Sequence, residues 1–199
     1  MELLEDFNWI DDITILEGKE TKGKHILRGV FARAGKPNIN RRIYPIPVME
    51  ETLRELSKII SKRGFVGECD HPNSPKVSVK NISHVITDLK LAPDGAVIGE
   101  AEALDTEPGK HLQKLMDAKI RLGVSTRGTG EVRPYRGDLG EDLTEVQPGY
   151  RMRAIDVVFN PSAKAYPNYV VEEENLKHKI IIGSTEIFRK VWEDTFGNG

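Results

Sequence analysis

The chain has 199 residues, 38% of them hydrophobic and 30% charged, and a formal net charge of −2. That length can bury the core of one ordinary domain. The near-neutral balance lacks the positive field that drives binding to nucleic acid or anionic membranes, and the single cysteine, Cys69, rules out a disulfide framework within the chain and a Cys-based zinc site. One cysteine suits a reducing compartment, and no apolar run approaches the ~20 residues of a membrane span. The start, Met1-Glu2-Leu3-Leu4-Glu5-Asp6, is acidic where a signal peptide is basic, so a protein kept in a cytosol is expected.

Residues 1–24 read as a polar lead-in with a few apolar anchors, part of which can pair as an early strand. His25 to Arg33 reads as an aliphatic strand. Ala34 to Pro47 holds three prolines, which exclude regular helix and interior strand, and carries the basic stretch Asn40-Arg41-Arg42-Ile43-Tyr44-Pro45. Val48 to Arg63 predicts an amphipathic helix with Leu53, Leu56, Ile59 and Ile60 on its inner face. A short buried run, Phe65-Val66-Gly67-Glu68, leads into the rigid loop Cys69-Asp70-His71-Pro72-Asn73-Ser74-Pro75. Val77–Leu91 and Ala96–Ala103 predict a hairpin about the turn Pro93-Asp94-Gly95. Glu107 to Ile120 fits a helix. Leu122 to Gly130 reads as a strand carrying Ser125. Glu131 to Gly149 is polar, with glycines and prolines, and reads as an excursion or flap. Tyr150 to Phe159 resumes as a strand, and Ser184 to Phe196 as a helix capped by Ser184. The strands do not alternate with helices, which favours an antiparallel sheet or barrel with flanking helices.

Ser125 stands on apolar backbone beside a glycine-rich run, the setting acyl transfer requires: a fixed hydroxyl next to donor-rich backbone. On its own, Gly-Val-Ser in a strand more often marks plain sheet. Among the five histidines, His71 at the mouth of the rigid loop is the candidate base, against a loop-capping role. His84 reads as an ordinary strand residue. Asp156 is an ionisable residue in the apolar run Ala154 to Phe159, and a buried carboxylate is costly unless paired. It either orients a histidine or faces water at a strand edge. Arg127 and Gly128 are candidates for holding an oxyanion, with a salt-bridge role the alternative for Arg127. A metal site at Glu68, Asp70 and His71 is the rival chemistry, but the two carboxylates share a strand face from which His71 points away, and no second ligand cluster has metal spacing. No metal and no cofactor are assigned.

Four blocks in order then resemble a known family. They are Asn40-Arg41-Arg42-Ile43-Tyr44-Pro45, Gly67-Glu68-Cys69-Asp70-His71-Pro72, Gly123-Val124-Ser125-Thr126-Arg127-Gly128 and Ile155 to Ala163. Together they resemble the prohead core proteases of tailed phages, T-even type, whose motifs run Asn-x-Arg-x-Tyr-Pro, Gly-Glu-Leu-Asn-His-Pro, Gly-Val-Ser-Ser-Arg-Gly and Val-Asp-Ala-Val-x-x-Pro-Ser-Ala. The resemblance covers roughly residues 25–170. Cys69 and Asp70 depart from the family's Leu and Asn.

The resemblance implies an α+β fold like the herpesvirus protease: a closed antiparallel β-barrel of about six or seven strands ringed by helices. It implies a lead-in over 1–24, a protease barrel over 25–172 and a removable charged segment and helix over 173–199. The implied activity is that of a serine endopeptidase inside the phage prohead, made in the bacterial host cytoplasm. It would cleave scaffold and major capsid proteins after Glu in hydrophobic-x-Glu sites, and would self-associate. Carried over by position, Ser125 is the nucleophile, His71 the general base and Asp156 the third member. Arg41, Arg42 and Arg127 are candidate cations for a substrate Glu. Self-cleavage is expected at Leu3-Leu4-Glu5, Ile15-Leu16-Glu17 or Leu143-Thr144-Glu145. The alternatives are a catalytically silent assembly protein of the same fold and a metal-dependent hydrolase using His71.

Overall fold

The computed structural model describes residues 2–8, 13–16, 23–70, 72, 74–120, 122–137 and 140–158. In chain order the elements are β1 (Glu2–Asn8), β2 (Ile13–Leu16), β3 (Ile26–Arg33), β4 (Arg42–Ile43), α1 (Ile46–Ile60), β5 (Val66–Glu68), β6 (Ile82–Leu91), β7 (Ala96–Ala103), α2 (Glu107–Asp117), β8 (Gly123–Gly130), β9 (Val132–Arg136), β10 (Asp142–Val146) and β11 (Arg151–Val158). Three sheets form, ordered β2-β3-β7-β6-β5, β1-β8-β11 and β4-β10-β9. The first two are antiparallel throughout, and the third is mixed because β4 runs parallel to β10. The helix expected over 184–196 lies outside the described residues.

The β6–β7 hairpin turns where Pro93-Asp94-Gly95 predicts. Asp94 Oδ1 accepts the Ala96 N–H at 3.0 Å, and Gly95 holds φ +87, with the Ala34 carbonyl oxygen 2.3 Å from where a Cβ would stand. Helix α1 starts two residues earlier than the periodicity predicts. Pro47 sits in its first turn, where a missing N–H costs nothing. Val48, Met49, Leu53 and Leu56 face inward, while Ile59, expected inward, is 44% exposed at the edge of that stripe. Helix α2 is capped by Thr106, whose Oγ1 accepts from the Gly109 N–H (3.0 Å) and donates to the Ile82 carbonyl (2.6 Å). One hydroxyl thus starts the helix and ties it to the first residue of β6. A single main core takes Leu4, Phe31, Met49, Ile86, Leu112 and Ile155 from both larger sheets and both helices. No helix among the described residues is long and apolar enough to cross a membrane.

Two differences from the sequence reading matter. The stretch Glu131–Gly149, expected as an excursion, carries the β9–β10 hairpin. Its strands are polar on both faces, with Leu143 and Val146 the buried residues of β10, so the alternation that reveals a strand is absent.

The second is the barrel, which is not closed: the sheets are open. Closure needs a continuous backbone ladder around the circumference. Where β11 passes β5, one isolated bridge, Cys69 with Val157, joins the strands, carrying the Asp70 N–H to Val157 carbonyl bond of 2.9 Å. Side chains take the other backbone groups there. His84 Nε2 donates to the Ile155 carbonyl (2.8 Å) and Asp156 Oδ1 accepts the Glu68 N–H (3.0 Å). At Gly67 an added Cβ would lie 1.9 Å from the Ile155 oxygen and 2.4 Å from His84 Nε2. The sheets therefore meet at a seam closed by side chains, and the described residues form an α+β arrangement of three open sheets with two helices.

Candidate active site

Strand β8 runs between β1 and β11, with Ser125 opposite Phe7 on one side and Asp156 on the other. Directly opposed residues of an antiparallel pair share a face, with Cβ atoms about 5 Å apart. Arg127, two residues on, returns to that face. The three are buried, Ser125 1% exposed and the other two 0%.

Burying a guanidinium requires a partner for each of its five N–H groups, and Arg127 has them all. Nε donates to Asp156 Oδ2 at 2.9 Å. Nη2 donates to Asp156 Oδ1 (3.1 Å) and to Glu68 Oε2 (2.7 Å). Nη1 donates to the carbonyls of Ser74 and Lys76. Glu68 Oε1 in turn accepts the Ser78 N–H at 2.9 Å. The result is one cation and two carboxylates, each ionic group at most 1% exposed. Asp156 thus has the partner its burial demands in Arg127 and the Glu68 N–H. Glu68, weighed in the sequence only as a metal ligand, belongs to this cluster. The signal was present: an acid in a buried run and a base in a glycine-rich strand each need an opposite charge.

His71 lies outside the described residues, so its distance from Ser125 is not part of this geometry. Its neighbour Asp70 is fixed beside Asp156 by the bond to Val157. Asp70 has φ +63, a left-handed conformation that Asn and Asp tolerate better than other side chains. The Asp-for-Asn departure therefore preserves the backbone of this corner. Burial pushes the Cys69 thiol above its usual value. A hydrogen bond with Ser83 opposes that shift, and the nearby carboxylates of Asp70 and Asp156 add to it. Cys69 is accordingly a thiol, not a thiolate, at neutral pH.

His84 is fully buried. Its Nε2 meets a carbonyl, which can only accept, so Nε2 carries the proton and Nδ1 (2.8 Å from Ser83 Oγ) accepts from the serine. Burial lowers its pKa below 6.5, against the raising effects of the Ile155 carbonyl and Asp156.

The remaining candidates are dispersed. Gly128 lies inside the β8 ladder, and an added Cβ there would be 2.4 Å from the Tyr150 hydroxyl. Its lack of a side chain makes room for that ring. Arg42 lies in β4 and Arg41 just before it, on the third sheet. His25 Nε2 pairs with Asp117 at 2.8 Å. Among the described residues no group of three or more His, Cys, Asp or Glu is placed to hold a metal ion. An apolar cleft of about 360 Å³ opens beside Asp70, lined by Cys69, His111, Leu115, Leu122 and Val157 among others.

The fold is that of a phage capsid assembly protease. The solved structure of the bacteriophage T4 capsid assembly protease superposes with a TM-score of 0.68 at 23% identity, covering 79% of this chain and 98% of that one. The prohead core protein protease of Enterobacteria phage T4 is 27% identical over 163 residues, spanning 77% of this chain and 74% of that protein. The family profile described as prohead core protein serine protease matches residues 4–176. The chain belongs to this family, and is a prohead protease.

Proposed function

We propose that the chain is a serine endopeptidase in which Ser125 is the nucleophile, His71 the general base and Asp156 the orienting carboxylate. The observation that carries this reading is the pairing of Ser125 with Asp156 across β8 and β11, on one buried face, with Asp70 bonded to β11 at the next residue. In the reaction His71 takes the Ser125 proton as Oγ attacks the scissile carbonyl, the oxyanion is held by backbone N–H groups, and water releases the acyl-enzyme. The donors we favour are those of the 162–165 stretch, which lies outside the described residues, because residues 127–128 are paired with β1 and β11 on both sides.

The substrates we assign are the scaffold and capsid proteins of the phage prohead, within whose interior the enzyme acts, cut after Glu in hydrophobic-x-Glu sites. The Arg127 guanidinium is fully engaged, and the substrate carboxylate is assigned to the Arg41–Arg42 stretch at the start of β4. Self-cleavage follows the exposure of strands. Leu3-Leu4-Glu5 lies in β1 with Leu4 in the core, and Leu143-Thr144-Glu145 lies in β10 between two strands. Ile15-Leu16 ends β2, an edge strand, so the bond after Glu17 is cut first. Mass spectrometry of the aged enzyme should find a fragment beginning at Gly18. First cuts after Glu5 or Glu145 would contradict that order.

The deciding experiment is Ser125→Ala with the purified scaffold protein as substrate. Cleavage should fall by more than about 10⁴-fold, while a chelator leaves the wild type unaffected. Retained cleavage in the variant, together with chelator sensitivity, would instead establish metal-dependent hydrolysis.

A further inference from the structure

The Arg127 cluster brackets the loop on which the proposed base stands. One arm of the guanidinium holds Glu68, three residues before position 71. The other holds the carbonyls of Ser74 and Lys76, three and five residues after it. Glu68 reaches past the loop to the Ser78 N–H and closes the span from the far side. The same guanidinium grips Asp156 side-on, and its backbone lies two residues from Ser125 in β8. No other described side chain touches both ends of this loop and the strand partner of Ser125. Such an arrangement fixes the loop to the nucleophile's strand through one planar, fully satisfied fork, whose geometry a lysine cannot reproduce.

We propose that Arg127 is a positioning residue: it ties the two flanks of the stretch carrying position 71, Glu68 on one side and Ser74 and Lys76 on the other, to β8 and to Asp156, and so supports the proposed base. Glu68 is its counter-anchor. This rests on the serine reading above. It assigns Arg127 neither to the oxyanion nor to the substrate, and it explains why an ionic cluster occupies the seam between two sheets, where apolar residues would pack at less desolvation cost.

The test uses the full-length protein and diisopropyl fluorophosphate, which needs no knowledge of substrate preference. Ser125 Oγ forms the bond to phosphorus, fluoride leaves, and the serine proton passes to the base. The second-order rate of adduct formation is followed by intact mass between pH 5 and 10. In the wild type it should rise through the pKa of the base and then level off. Arg127→Lys, studied at a temperature where its circular dichroism matches the wild type, should react on the order of 100-fold more slowly at neutral pH. Its profile should also lose the plateau and follow hydroxide, because the base no longer engages. Hydrogen exchange at the Ser78 amide should accelerate in the same variant. Glu68→Gln, which keeps the shape and the acceptor for Ser78, should show a smaller loss of the same kind, and it carries the test if Arg127→Lys does not fold. Arg153→Ala, an exposed arginine on β11 that meets only the Thr129 hydroxyl among the contacts described, should behave as wild type.

A folded Arg127→Lys or Glu68→Gln with the wild-type rate and plateau overturns the proposal: the cluster is then a structural brace alone. Failure of the serine reading looks different, because the wild type itself then takes no adduct at Ser125.

Discussion

Two places in the molecule set strands side by side, and different groups hold them. In the β6–β7 hairpin, the backbone pairs residue by residue from Leu91 with Val97 to His84 with Ala103, seven pairs about a tight turn. At the seam of β5 and β11 the backbone makes one bridge, and Asp156, His84 and Arg127 supply the remaining bonds. A backbone ladder is nearly indifferent to which side chains it carries. A side-chain seam depends on particular atoms at particular distances, and that dependence is what lets it hold the buried Asp156 carboxylate in a fixed attitude.

Substitutions should separate the two regions sharply. Arg127→Met leaves Glu68 and Asp156 buried without their cation, and should cost about 3–5 kcal/mol in urea unfolding. Lys90→Ala on the solvent side of β6, which loses an exposed pair with Asp88, should stay within about 0.5 kcal/mol. Equal losses at the two positions would erase the distinction. Gly67→Ala comes next. Its Cβ must displace the Ile155 carbonyl or His84, so a loss of at least about 1–3 kcal/mol is expected, with loosening of the β11 amides in hydrogen exchange.

The smallest effect is a pH dependence. His84 is held neutral by burial, with its pKa below the unfolded value of 6.5. Below that value the unfolded chain binds a proton the folded one refuses. The stability contributed by neutral burial is therefore complete above pH 6.5 and lost as pH falls. The slope from this group is at most about 1.4 kcal/mol per pH unit. His84→Asn should flatten that slope between pH 6.5 and 5. An unchanged slope would assign the acid sensitivity elsewhere.

The same contrast explains what the sequence makes legible. The hairpin was readable because aliphatic runs flank a Pro-Asp-Gly turn, and both helices because their apolar positions recur at helical spacing. Asp156 stood out as an ionisable residue in an apolar strand and Ser125 as a hydroxyl beside a glycine-rich run, and the ordered motifs placed the chain in a family that the profile match bears out. Barrel closure was not readable. Whether two strand edges bond to each other or to intervening side chains depends on distances between segments nearly ninety residues apart, such as Glu68 and Asp156, and no local pattern records them. Arg127 was legible as a charge needing a partner, but its partners are two acids and two carbonyls from separate elements. The β9–β10 hairpin escaped because neither face is apolar enough to show a period of two.

The central claim is that Ser125 is the nucleophile, and it is tested most directly by locating the adduct of diisopropyl fluorophosphate. Digestion and mass spectrometry of the treated wild type should place a single phosphoryl group on the peptide containing Gly123-Val124-Ser125-Thr126-Arg127, at Ser125, with loss of protease activity in step. Ser125→Ala should take none. An active enzyme that remains unmodified under the same conditions, or an adduct on another residue that tracks inactivation, would contradict the account.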